Sequence, residues 1–341
     1  MTANDAYAQA GVNIAEGSRA TQLMKAAVRA TYTPEVLSDT GSFGGLFAAG
    51  ALKDMAAPVL VASTDGVGTK TRVAAKLGKW DSIGRDLVNH CINDILAQGA
   101  RPLFFLDYVA SSKLDAEQVA AIVGGVAQGC RQAGCALLGG ETAEMPGVYE
   151  AGEVDLVGTV VGVVERDSLI DGRRIQQGDA ILALPSSGLH TNGYSLARKV
   201  LADLDWNTPQ AELGASIGEA LLAVHRCYLE PVHALQDAGV DIRGLAHITG
   251  GGVTDNLPRI LPAGTAALLQ RGAWHEPPIF GLIQQHGQIS DDEMFHVFNM
   301  GLGMLVIVPA AQVAWAQAAV SELRIAGEII QGDNTVKVIR G

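Results

Sequence analysis

Residues 59–70 read Val-Leu-Val-Ala-Ser-Thr-Asp-Gly-Val-Gly-Thr-Lys. The valine-rich run after Pro58 predicts a buried strand. It breaks at Asp65 into two glycines, Gly66 and Gly68, spaced so that backbone amides can approach a ligand closely. Lys70 adds a cation one turn further on. An acid, a glycine-rich bend and a lysine at a strand end suit a metal-bound polyphosphate, with the acid on Mg2+ and the amides and ammonium on phosphate oxygens. An ordinary strand, turn and helix accounts for the same residues equally well. The stretch is not a P-loop, because Thr69 separates Gly68 from Lys70. Nor is it a dinucleotide fingerprint, because a third glycine is missing from 66–71.

With 341 residues, 48% of them hydrophobic and 18% charged, the chain can bury a sizeable core, and its length predicts two domains. Its 41 glycines follow no short period, which predicts many tight loops. A net charge of -12 without a basic block argues against non-specific nucleic-acid binding, so any phosphorylated ligand must be held locally. Cys91, Cys130, Cys135 and Cys227 form no Cys-x-x-Cys pair and fall in expected helices or helix ends, so free buried thiols are expected. Residues 1–7 lack a basic region followed by an apolar one, and glycine breaks the longest valine runs. The expectation is a cytoplasmic protein with no membrane partner.

Asn13 and Glu16 have capping-box spacing before an apolar stripe, predicting a helix to about Thr31. Gly41, Gly44 and Gly45 follow in a loop that either folds over a nucleotide or serves as a flexible linker. From Ser82 to Gln98 a helix is predicted, with Leu87, Val88, Cys91, Ile92, Ile95 and Leu96 on one side. Asp86, Asn89, His90, Asn93 and Asp94 gather on the other, a polar face of short coordinating side chains. Leu103 to Val109 reads as a strand carrying one acid, Asp107, which either serves a ligand or caps a neighbouring loop. A helix from Asp115 to Ala133 leads to a strand in which Gly139 and Gly140 precede Glu141, a candidate third metal ligand. Glu153 to Arg166 is a long strand whose glycines imply curvature or close strand packing.

Residues 167–177 are the best domain boundary. Beyond it, Asp179 to Pro185 predicts a strand running into Ser186-Ser-Gly-Leu-His-Thr-Asn-Gly193 and then a helix through Leu204. This junction suits an anion, although serine and asparagine are also ordinary helix caps. Helices over roughly 217–238 precede a second strand and glycine loop, His247-Ile-Thr-Gly-Gly-Gly252, so two phosphate-type loops could grip one substrate. Ser290 and Glu293 form another capping-box pair. Phe298 to Met304 leads into a strand over Leu305 to Val308, and a helix and two more strands follow. Both halves mix strands and helices. The expected fold is therefore α/β (α+β), two mixed-sheet sandwich domains in tandem over 1–168 and 169–341. Glycine-interrupted valine strands such as Val157 to Val164 would leave an apolar sheet face and an open edge on a lone chain, which predicts a homodimer.

Six blocks, at 63–70, 91–100, 102–108, 139–147, 186–196 and 247–252, together resemble the phosphoribosylformylglycinamidine cyclo-ligase (AIR synthetase) family in order and spacing, from Ala10-Gly-Val12 to the last strands. The resemblance implies ATP-dependent closure of the imidazole ring of formylglycinamidine ribonucleotide in purine biosynthesis. It also implies an N-terminal ATP-binding domain whose sheet forms an intersubunit barrel, and a C-terminal substrate domain. On the same ground Asp65, Asp94 and Glu141 are expected to hold Mg2+. Lys70 and the Gly41, Gly44 and Gly45 loop are expected to contact ATP, with Gly66, Gly68, Thr69, Asn93 and Asp107 in the same site. Ser187, Gly188, His190, Asn192, His247, Thr249, Gly250, Gly251 and Gly252 are expected at the phosphorylated ribonucleotide, and Lys70 and His190 in catalysis. His190 suits a phosphate contact or a base, or it only supports its turn.

Val224-His225-Arg226-Cys227-Tyr228 departs from the expected Pro-Thr-Arg-x-Tyr, which leaves the local helix start open. The competing readings are phosphoryl transfer to another acceptor, such as thiamine monophosphate, and a nucleotide-binding scaffold without turnover. A selenophosphate synthetase would need a reactive cysteine near the N-terminus, and none precedes Cys91.

Overall fold

Pro58–Gly66 forms β1 in the computed structural model, which describes residues 11–340. Residues 1–7 and Ala10, which carried the targeting argument and the start of the resemblance, lie outside the described residues. The chain divides into two compact units. One runs through Ile95 and resumes over Ala100–Asp167; the other comprises Leu96–Gly99 and everything from Ser168 on.

In the first unit α1 spans Ile14–Arg29, capped by Asn13, whose side chain accepts from the Ala15 and Glu16 amides. The reciprocal arm of the expected capping box is absent. The Asn13 amide donates to Glu144, and Glu16 accepts from the Ala116 amide instead. After β1 come α2 (Lys70–Leu77), α3 (Asp81–Leu96), β2 (Arg101–Ser111), α4 (Ala116–Gln132, N-capped by Asp115), β3 (Ala136–Glu144) and β4 (Val154–Glu165). The sheet runs β1-β4-β2-β3, antiparallel except for the parallel β2–β3 pair. Leu87, Val88, Cys91, Ile92 and Ile95 of α3, with Ile122 and Val126 of α4, form the core, each such side chain contributing about 1.5–3 kcal/mol. The two helices meet at glycines: a Cβ on Gly84 would lie 2.1 Å from the Ile122 carbonyl oxygen. The β4 glycines serve close packing, since a Cβ on Gly158 would lie 2.3 Å from the Phe105 ring.

The second unit is built on a six-stranded mixed sheet ordered β12-β9-β11-β5-β10-β8, with β5 Ala180–Pro185, β8 Gly244–His247, β9 Thr265–Arg271, β10 Leu302–Val308, β11 Arg324–Gln331 and β12 Val336–Arg340, while the short strands β6 (Pro209–Gln210) and β7 (Ala215–Ser216) pair only with each other. Every residue of β10 is buried, as a continuous apolar run on an interior strand of a covered sheet requires. Its register sets Leu302 opposite Pro185 and Met304 opposite His247, so the segments leaving β5 and β8 emerge at the same end of the sheet.

The helix expected through Leu204 is shorter. α5 covers Tyr194–Val200, and the Trp206 indole donates to the Leu201 carbonyl at 2.7 Å, drawing the chain into a turn. The 217–238 region resolves into α6 (Ile217–Leu221) and α7 (Leu229–Asp237), so the helix whose start was open begins after Tyr228. Next come α8 (Gly252–Asn256), α9 (Pro278–Gly287), α10 (Asp291–Val297, its first turn capped by Ser290) and α11 (Val313–Ala319). Cys91, Cys130 and Cys135 are free and buried; Cys227 departs from expectation, being half-buried in the segment between α6 and α7. Among the described residues no helix is long and apolar enough to cross a membrane.

Candidate functional site

The Gly41–Gly45 segment is not a free linker. A bridge between Val36 and Phe47, the Leu37 amide on the Leu46 carbonyl at 2.8 Å, and an ion pair between Arg29 and Asp39 close it into a tethered excursion. The hydrogen bond from Arg29, helped by the Thr40 amide, holds the Asp39 carboxyl at about 2. This segment lines a cavity of ≈ 740 Å³ together with Asp107, Gly139, Gly140 and Glu141, a size suited to a nucleotide-sized ligand. Asp107 stands beside Gly140, where a Cβ would lie 1.8 Å from the carboxylate oxygen; only glycine leaves room for the acid. Burial pushes the Asp107 carboxyl up to about 7. At the floor of the unit, Glu144 accepts from the Leu114 amide at 2.9 Å and from Asn13, locking the start of α1 to the end of β3.

A second group lies at β1 and α3. His90 Nε2 is 2.9 Å from Asp65 Oδ2 and 4.0 Å from Asp94 Oδ2, and the Ser63 hydroxyl donates to Asp94 at 3.0 Å. The Gly66 amide donates to the other Asp65 oxygen at 2.6 Å. Burial disfavours charge on His90, but Asp65 and Asp94 outweigh it and raise its pKa. Gly68 takes a left-handed φ of 54° to turn the strand into α2, which begins after Thr69. Asn93 and Asp86 are wholly buried, so the polar face of α3 is enclosed, Asp94 being its half-exposed member.

Lys70 and Glu141 stand apart from the groups they were expected to join. Lys70 is not among the cavity residues: its side chain is fully buried and its Nζ lies 2.8 Å from Asp86 Oδ2, so its charge anchors the start of α2 against α3. Asp65, Asp94 and Glu141 do not converge within one chain. β1 and β3 are the two edges of the sheet, and Asp65 is followed across it by Gly158, Asp107 and Gly140 in register. Three strand spacings of about 4.8 Å therefore separate the two edges. Glu141 lines the cavity with Asp107, away from Asp65 and Asp94.

In the second unit the two glycine loops do meet. Among the described residues His190, His225 and His247, all buried, each offer a ring nitrogen within 4.8 Å of the others. His190 sits in the left-handed region at φ 61°, where only glycine is unstrained, and the Ser187 amide donates to its Nε2 at 3.3 Å. Its ring stacks on His225 with centroids 4.0 Å apart. Gly188 is fixed through Asn299, whose amide donates to the Gly188 carbonyl at 2.8 Å while its oxygen accepts from Ser186. Gly250 packs against the Asn192 amide, and the Asn192 oxygen is buried without a hydrogen bond among the described residues. Asn256 ties the loop together by donating to the Thr249, Gly250 and Gly252 carbonyls and accepting from the Thr249 hydroxyl; Gly251 supplies a left-handed turn at φ 90°.

The family described as AIR synthase related protein matches with its N-terminal domain over residues 48–164 and its C-terminal domain over 176–339. A phosphoribosylformylglycinamidine cyclo-ligase of Alkaliphilus metalliredigens is 50% identical over 338 residues, covering 97% of this chain and 96% of the relative. The chain belongs to the phosphoribosylformylglycinamidine cyclo-ligase family. A Desulfitobacterium hafniense protein of the same name is 51% identical over 322 residues, 94% of each chain. Among solved structures, thiamine-monophosphate kinase from Stenotrophomonas maltophilia superposes with a TM-score of 0.66 at 18% identity, over 93% of this chain and 95% of that one. E. coli HypE, a hydrogenase maturation protein, gives 0.67 at 17% over 93% and 92%. At such identities these two show a shared fold of two tandem α/β domains.

For this cyclo-ligase family member, the sequence placed His90 on the coordinating face of its helix without giving it a role, and did not assign Asp39, Asn256, Asn299 or His225 to a site. The spacing of His90, one helical turn before Asp94, could have supplied that role. Asn299 stands in the quoted Phe-Asn-Met-Gly stretch, but nothing in the spacing tied it to Ser186 or Gly188.

Proposed function

We propose that this chain is an ATP-dependent cyclo-ligase that converts formylglycinamidine ribonucleotide to aminoimidazole ribonucleotide in purine biosynthesis, with release of ADP and phosphate. The observation that carries this reading is the 50% identity, over nearly the whole of both chains, to relatives bearing that name. An amide oxygen is a poor leaving group. Phosphorylation makes it a good one, after which the neighbouring nitrogen attacks the same carbon and phosphate departs. Such a path needs clamps and orientation rather than an enzyme nucleophile.

The 740 Å³ cavity is assigned to ATP, with Gly41, Gly44 and Gly45 as its cover and Asp107 at its wall. Asp65 and Asp94 suit Mg2+: both are carboxylates with solvent access, hard oxygen donors of the kind that ion takes. Bound there, the ion would neutralise phosphate charge. Because Glu141 stands on the far edge of the same sheet, its membership of the set requires a second subunit. A homodimer in which the two sheets close a barrel, β1 of one chain beside β3 of the other, would set Glu141 of the partner subunit near Asp65 and Asp94. The open face of the sheet supports such pairing: Leu60 and Leu106 are exposed on it, and among the described residues β1 has no neighbour on its outer side.

The loops around Ser187, Gly188, His190 and Asn192 and around His247 and Thr249 to Gly252 are assigned to the ribonucleotide. Their glycines and amides suit its phosphate, and a histidine at position 190 suits holding that phosphate or taking the proton of the attacking nitrogen. The test is direct: the purified chain, ATP, Mg2+ and formylglycinamidine ribonucleotide should yield aminoimidazole ribonucleotide. No product, or phosphorylation of thiamine monophosphate in its place, overturns the assignment.

A further inference from the structure

We propose that His225 is a positioning residue, which holds the rings of His190 and His247, one from each glycine loop, in a single fixed arrangement. His225 is wholly buried, and its neighbours in the chain pin its segment in place. The Val224 carbonyl accepts from the Ser187 hydroxyl at 2.5 Å, Arg226 donates to Glu322 at 2.8 Å, and the Tyr228 hydroxyl donates to the Pro185 carbonyl at 2.9 Å. On that backing the imidazole presents its face to one histidine and its edge to another. The face lies on His190, with centroids 4.0 Å apart and planes 15° from parallel. At the edge, Nε2 of His225 lies 3.0 Å from Nε2 of His247, the rings being tilted by 50°.

Face and edge do different work. Stacking fixes the plane of the His190 ring, whose Nε2 accepts from the Ser187 amide, and so backs a residue held at a left-handed φ of 61°. The edge contact fixes a tautomer. Of the two Nε2 atoms one must bring the hydrogen and the other the lone pair, so in the neutral pair His225 dictates where His247 carries its proton and leaves the Nδ1 of His247 with the opposite role. The Thr191 hydroxyl, 3.4 Å from His225 Nδ1, continues this chain into the loop that carries His190. A threonine, implied at position 225 by the family resemblance, has no ring to stack and no nitrogen to offer, so the coupling is a feature of this chain.

Rings oriented before the ligand arrives spare binding the cost of ordering them. On the reading of His190 and His247 as ribonucleotide contacts, on which this step rests, His225 therefore acts on ribonucleotide affinity and not on ATP, whose assigned cavity belongs to the first unit.

Substitution separates the two contacts. His225→Phe keeps a ring to stack and loses the hydrogen bond, whereas His225→Gln keeps a polar group at the reach of Nε2 and loses the ring. The full chain, carrying isotopically labelled histidine, is first read by nitrogen NMR without nucleotide or substrate. We expect a scalar coupling between the Nε2 nuclei of His225 and His247 in the wild type. His225→Phe should shift the ring nitrogens of His247 and spare those of His190, and His225→Gln should do the reverse. Calorimetry with formylglycinamidine ribonucleotide should then show affinity weakened on the order of tenfold in each variant, with ATP affinity unchanged. Absence of the coupling in the wild type overturns the proposal, and that measurement decides where a variant folds poorly by circular dichroism. So does an unmoved His247 in folded His225→Phe, or full ribonucleotide affinity in both folded variants. If the wild-type chain binds no ribonucleotide, the failure is that of the assigned function, and the arrangement of the rings still stands or falls on the spectra.

Discussion

Lys70 Nζ lies 2.8 Å from Asp86 Oδ2, and neither side chain reaches solvent. Burial lowers the Lys70 pKa, and the Asp86 charge opposes that shift. Removing one partner takes this counter-charge from the other inside the fold. Asp86→Ala is expected to cost about 3–5 kcal/mol in denaturant unfolding, whereas Lys70→Met with Asp86→Leu together should cost far less. Equal losses in the single and double variants would show that the pair is not what holds α2 to α3.

Asp65 and Glu141, on opposite edge strands, predict complementation between subunits. Asp65→Asn and Glu141→Gln should each be inactive alone. Mixed and allowed to exchange, they should recover about a quarter of wild-type turnover, because half the dimers then carry one intact site. Continued inactivity in mixtures whose exchange is verified by mass spectrometry would place Glu141 outside the metal set.

Asp94→Asn should keep the fold and lose Mg2+-dependent ATP affinity by tenfold or more, an order-of-magnitude expectation for one lost charged ligand. Calorimetry with and without Mg2+ reads this. Affinity unchanged in both conditions removes Asp94 from the site.

The Asp107 carboxyl has its pKa raised from 3.8 to about 7 by burial, so between those values the folded chain holds a proton that the unfolded chain has released. Stability should therefore fall as pH rises through this window, by on the order of 1 kcal/mol per pH unit, and stay low above it. Asp107→Asn should flatten that slope and melt higher than wild type at pH 8. Parallel melting curves for the two chains between pH 4 and 8, values set by about that window, would contradict it.

His190→Asn separates two tasks. If His190 is the base, turnover falls while both ligands bind normally; if it holds phosphate, ribonucleotide affinity falls instead. A variant normal in turnover, affinity and pH profile would leave the strained turn as its whole part.

The linear chain was enough for element type and order, because hydrophobic period and capping residues act over a few neighbours: Asn13 before α1, Asp115 before α4 and Ser290 before α10 all accept from first-turn amides, although Glu16 turns to the Ala116 amide in place of completing a capping box. It also disclosed the two glycine loops that meet in the second unit. Local spacing could not say which side chains face one another across a sheet. The order β1-β4-β2-β3 parts Asp65 from Glu141, and the register of β10 with β5 and β8 joins the His190 loop to His247. Enclosure was equally hidden, since the coordinating face of α3 reads as polar in sequence yet lies mostly buried. Strand order and burial depend on contacts between residues far apart in the chain. Only the folded tertiary structure decided that Lys70 turns to Asp86, and that His225 completes a cluster of three imidazoles.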